Sequence, residues 1–168
     1  MRYRLDVVGP STIDVVRHAG GWLFDRALAG WEVSVLTPDY LDARALRILG
    51  AEPVSLDAIL DAGGSDRRPH VVAVSADLYA LDPRIGPGLR KALGDGGVDV
   101  AMWGATWPVD LEGPVDNVEH KLSLAARAFK GKALAAAGVA PNTVTATEAF
   151  RTGVLSSRFI GADLVPAG

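Results

Sequence analysis

The sequence predicts an α/β protein, a three-layer sandwich whose mostly parallel five-stranded sheet is covered by helices on both faces. Three observations predict it. Short apolar runs rich in β-branched residues alternate with stretches of helical period along most of the chain. The run HVVAVSA at 70–76 is almost continuously apolar, as a parallel strand covered on both faces requires. The stretch 30–57 reads without a break as strand, turn, helix, glycine stop and short strand.

The first strand is expected at 3–8, turned by Gly9-Pro10. Ser11 and Asp14 then have capping-box spacing at the start of a helix that runs to about Ala29. Ile13, Val16, Ala19, Leu23 and Ala27 form its apolar arc, and Asp14, His18 and Asp25 its polar face. Gly20-Gly21 costs helix stability, so the pair implies close packing or a kink. The second strand is 31–36. Asp39 is placed to cap the next helix, in which Leu41, Ala45, Ile48 and Leu49 recur at helical spacing. Gly50 ends it as a left-handed cap, and Val54 centres a short third strand. Ser55 caps a short helix at 56–62, and the polar, basic stretch 63–69 is a loop.

After the fourth strand, Asp82-Pro83 starts a helix that ends near Gly94. The fifth strand is 98–104, and 105–115 is a loop. Asp116 and Glu119 repeat the capping spacing ahead of the longest helix, 117–137, which Gly138 stops. In 141–168 a small strand is expected at 144–146 and a helical turn at 148–151. The domain is expected to span 1–140, with 141–168 an extension packed on it.

Right-handed crossovers leave the strand orders 3-2-1-4-5 and 2-1-3-4-5. The first is preferred, because the second strand leads quickly through a short helix to Val54. The segment 30–57 resembles the second half of the βαβ unit of the NAD(P)-binding Rossmann superfold, a resemblance that covers about the first third of the chain. It implies a ligand beyond the carboxyl ends of the strands, near Gly9, Ser11, Thr12, Asp39, Ser75, Asp77, Trp103 and Trp107.

The glycine fingerprint of that superfold is missing. Where G-x-G-x-x-G would stand, only Gly9 is a glycine, and Ser11 and Asp14 hold the other two positions. Helix capping is favoured there over phosphate binding, since Asp14 sets negative charge at the helix start. Ser11 and Thr12 also resemble the hydroxyl-rich phosphate loop of flavodoxins, over two residues only. No cofactor is expected. Ser75 lacks the flanking glycines of a hydrolase elbow and reads as a capped strand end. Asp14, His18 and Asp25 read as a solvated face, because no second element supplies metal ligands; no metal is expected. Trp103 and Trp107 flank Gly104 at the ligand edge, where an indole can stack on a planar ring, although core packing is the favoured role.

In a chain of 168 residues, 49% apolar and 22% charged content supports one well-packed domain. The net charge of -3 gives no electrostatic basis for non-specific nucleic-acid binding. The absence of cysteine excludes disulfides and thiolate chemistry. With neither a secretory signal nor a membrane-length apolar run, the expected location is cytoplasmic. The favoured function is a non-catalytic binding or regulatory module. A small enzyme binding a nucleotide, flavin or similar small molecule is the alternative, and a nucleic-acid-binding subunit using Arg67, Arg68 and the long helix comes last. Leu124, Ala128, Gly131 and Ala135 form a second stripe on the long helix, opposite Val118, Leu122, Ala125, Phe129, Ala133 and Ala136, and mark the expected interface of a homodimer.

Overall fold

The computed structural model describes residues 2–64, 68–95, 97–104, 107–111, 114–153 and 163–167. Arg67 and residues 105, 106, 112 and 113 of the expected 105–115 loop lie outside the described residues. In chain order the elements are β1 (Arg4–Val8), α1 (Thr12–Leu28), β2 (Glu32–Thr37), α2 (Arg44–Ile48), β3 (Glu52–Ser55), α3 (Leu56–Asp61) and β4 (Val71–Ser75). Then come α4 (Ala76–Leu81), α5 (Ile85–Asp95), β5 (Asp99–Trp103), β6 (Val115–Lys121), α6 (Leu124–Ala136), β7 (Thr147–Gly153) and β8 (Val165–Pro166).

The sheet order is β3-β2-β1-β4-β5-β7-β6-β8. Its parallel core is the expected 3-2-1-4-5, and β7, β6 and β8 extend it with antiparallel pairing. Strand alternation divides the interior. Leu5, Val7, Val35, Ala73 and Trp103 face a core shared with α1, α2 and α6. Val74, Val100 and Met102 face a smaller core with α3, α4 and α5. Among the described residues no helix is long and apolar enough to cross a membrane.

Local signals hold where caps are local. The Ser11 hydroxyl accepts from the Asp14 amide at 3.1 Å, and Ser55 from the Ala58 amide at 3.2 Å. Gly50, at φ +79, ends the α2 segment as a left-handed residue. Gly20-Gly21 serves close packing: a Cβ on Gly21 would lie 2.3 Å from the Leu122 side chain.

Other expectations are corrected. Asp39 does not cap α2, which starts after Ala43 without a side-chain cap; Leu41, expected on its apolar face, is exposed. Helix α4 was not foreseen, and α5 begins three residues after Asp82, whose carboxylate accepts from the Arg84 amide and side chain. The largest change is at 115–121. These residues form β6, paired along its length with β7, so the long helix shrinks to α6, capped by Ser123 instead of by Asp116 and Glu119. Val118 and His120 are buried at strand period, which the helix-like spacing of Val118 and Leu122 concealed. On α6 the buried residues are Ala126, Lys130, Ala133 and Leu134, so the expected face of Ala125, Phe129 and Ala136 is displaced. In the tail the strand is β7, which takes in 148–151 where a helical turn was expected, with Glu148, Phe150 and Thr152 buried in alternation. The five-stranded sheet thereby becomes eight-stranded.

Candidate functional site at the carboxyl edge of the sheet

The carboxyl ends of β1, β2, β4 and β5 converge around the start of α1. Gly9 leaves β1 there with no room for a side chain: a Cβ would sit 2.4 Å from Val15 and 3.3 Å from the Trp103 indole. The glycine thus admits Trp103, which is 3% exposed. The Trp103 indole N–H donates to Asp14 at 3.0 Å.

Asp14 also binds His18, one helical turn on. The His18 Nδ1 lies 2.9 Å from the Asp14 carbonyl oxygen and 3.3 Å from its carboxylate. The imidazole lies nearly parallel to the Trp103 indole, with centroids 6.4 Å apart. Burial pushes the Asp14 carboxyl up, but the bonds from His18 and Trp103 outweigh it and hold the group below its ordinary value. The Asp14 bond raises His18 above 6.5 against the opposing effect of burial. About half of the His18 side chain is exposed, so the group is accessible from solvent.

Asp39 has a different role from the expected one. It accepts from the Thr12 amide at 2.8 Å and from the Thr12 hydroxyl at 3.1 Å. A carboxylate from the loop after β2 therefore occupies the amino-terminal end of α1, where a dinucleotide fold receives a phosphate. With Asp14 close by, a second anion there would meet two negative charges.

The structure brings Gly9, Ser11, Thr12, Asp39 and Trp103 together at this point, and Ser75 ends β4 beside Trp103 in parallel register. Ser75 is buried, and its hydroxyl caps α4 by accepting from the Leu78 amide at 3.3 Å. Asp77 is exposed in the first turn of α4. Trp107 packs against the second core, and its N–H donates to the Leu111 carbonyl at 3.2 Å. Among the described residues neither of these two bonds to the α1 group.

Sequence reading left His18 on a solvated face, although its i, i+4 spacing to Asp14 was the available signal. It passed over the Tyr79 hydroxyl, which donates to Asp110 at 2.7 Å, and Arg90, which bonds both and ties the 107–111 loop to α4 and α5. It also missed the buried pair of Lys130 and Glu148, 2.7 Å apart. A depression of about 560 Å³, lined by Leu41, Asp42, Ala43, Arg44, Arg47 and Ile48, follows the Asp39 loop. Among the described residues no group of three His, Asp or Glu side chains is arranged to hold a metal ion.

No protein-family model and no curated protein matches this chain. Solved structures do. The A40926 pseudoaglycone deacetylase Dbv21 superimposes with a TM-score of 0.56 at 16% identity, over 81% of each chain. A deacetylase–teicoplanin complex gives 0.49 at 14% identity, over 98% of this chain and 99% of that one. The deacetylase triple mutant Orf2*T of the teicoplanin pathway gives 0.48 at 16% identity, over 98% of each. At this identity the first likeness speaks for the fold alone, and the other two superpositions are too loose to add to it. The chain has a Rossmann-like α/β fold, and the deacetylase Dbv21 is built on a similar one.

Proposed function

We propose that this chain is a small N-acyl hydrolase acting on a small molecule at the carboxyl edge of its sheet, with Asp14 and His18 as the orienting and proton-accepting groups. The observation that carries the reading is the Asp14–His18–Trp103 cluster at the ligand edge. The Asp14 carbonyl takes up Nδ1–H and fixes the tautomer, which leaves the lone pair on Nε2. In the step proposed, Nε2 accepts a proton from water as the water oxygen bonds to the amide carbonyl carbon. The C–N bond then breaks, and the same proton passes to the departing amine. The fold shared with a protein described as a deacetylase favours this class over nucleotide chemistry. The occupation of the α1 terminus by Asp39 disfavours a phosphate-bearing ligand.

A non-catalytic binding module is the second reading. It is favoured by the engagement of Ser11, Asp39 and Ser75 in bonds internal to the fold. Incubation with a panel of N-acetylated amino sugars and N-acylated glycopeptides, with release of primary amine as the readout, separates the two. Turnover is expected to fall about 100-fold or more in His18→Ala. A panel member that binds and is never hydrolysed leaves the binding module as the function.

A further inference from the structure

The strongest feature outside the site is a buried charge pair that grips the helix carrying His18. Lys130 comes from α6 and Glu148 from β7, and their side chains are 2% and 1% exposed. Neither spends its bonds on the other alone. Lys130 Nζ donates to the Arg17 carbonyl at 2.6 Å and to Glu148 at 2.7 Å. The Glu148 carboxylate accepts from the Gly21 amide at 2.8 Å and the Trp22 amide at 2.7 Å. The two side chains therefore hold α1 at both ends of the short stretch from Arg17 to Trp22, and His18 lies within it. Gly20 lies beside the pair, and a Cβ there would be in ordinary contact with the Lys130 stem at 3.6 Å.

A buried ion pair is a weak source of stability, because desolvation cancels most of the attraction. Burial pushes the Glu148 carboxyl up, against the opposing pull of Lys130 and the two amides. An apolar pair of the same volume would pack this core as well. It would not reach the backbone groups of α1 or bring a fixed charge next to the imidazole.

We infer that Lys130 and Glu148 are positioning residues for His18, fixing the turn of α1 that carries the imidazole and setting a buried positive charge one residue away from it. The inference rests on the hydrolase reading only in taking His18 as the working base. The groups that bear on His18 are Asp14 on its own helix, Lys130 on α6 and the uncharged Trp103 on β5, with Arg17 acting through Asp14 and Glu148 on β7 through its bond to Lys130. The Lys130 charge opposes protonation of the ring.

The test is an NMR titration of the full chain, with the His18 signal assigned by its loss in His18→Ala. In Lys130→Met the His18 midpoint is expected to rise measurably, because a charge that opposes protonation is removed. In Lys132→Met, an exposed position on the same helix with the same change in net charge, it is expected to stay in place. Lys130→Met/Glu148→Gln keeps the volume of the pair and replaces the single variant if that one does not fold; with both opposite charges gone, a smaller rise is expected. In Glu148→Gln, hydrogen exchange at the Gly21 and Trp22 amides is expected to quicken about tenfold or more. No shift on removing Lys130, or an equal shift in Lys132→Met, overturns the inference. These readouts need no substrate. If they succeed while no N-acyl substrate is turned over, the positioning role stands and the hydrolase reading falls. If turnover is found while His18 does not move, the reverse holds.

Discussion

At the scale of single residues, His18 is the most informative. Its value is raised by Asp14, so the stability this pair adds is complete below about 6.5 and is lost as pH rises through the folded-state value. The lowered value of Asp14 sets the other limit: its contribution is present above 3.8 and is lost as pH falls through the folded-state value. The gain is therefore largest between these limits. The pair is partly exposed, so it contributes roughly 0.5 kcal/mol or less. Asp14→Asn is expected to lower the His18 midpoint, because burial then acts with less opposition. NMR titration reads it directly; a midpoint that does not fall would remove the Asp14 carboxylate as the group that raises His18.

At the scale of elements, α1 carries the fold and the candidate site together. Its amino-terminal end meets Asp39, its middle meets Lys130, Glu148 and Leu122, and its later turns bring Asp25 to His120 and Ser123. Substituting alanine for a helical glycine ordinarily gains stability, by about 1 kcal/mol. At Gly21 the new methyl group meets Leu122 at 2.3 Å, so Gly21→Ala is expected to destabilise by about 1–3 kcal/mol in urea unfolding. At Gly20 the nearest neighbour is 3.3 Å away, and Gly20→Ala should lie much closer to neutral. A Gly21→Ala variant at least as stable as the parent would show that this contact relaxes without cost.

At the scale of the whole molecule, α6 leaves one side open. Leu124 is 81% exposed, Ala128 and Ala135 are exposed, and Gly131 is half-buried. A two-fold homodimer through this side is proposed, since the small residues allow another helix to approach closely. The native chain is expected to sediment as a dimer at micromolar concentration and Ala128→Glu as a monomer. A native monomer, or an unchanged dimer in the variant, excludes this interface.

The sequence by itself determined what local chemistry controls. The Ser11 and Ser55 caps, the Gly50 stop and the apolar β4 run follow from residues near one another in the chain, and the order of the parallel core from crossover handedness together with the short passage from the second strand to Val54. The tertiary structure alone decided what depends on distant partners. Residues 115–121 carry spacing compatible with a helix, and they are a strand because β7 offers a full ladder of backbone hydrogen bonds. Glu148, expected in a helical turn, is buried in β7, where Lys130 and the amides of α1 make its burial tolerable. Asp39 has the spacing of a local cap, and the short bond it makes is to Thr12, 27 residues earlier. A side chain's local pattern shows what it is able to bond; only the folded chain sets which partner arrives.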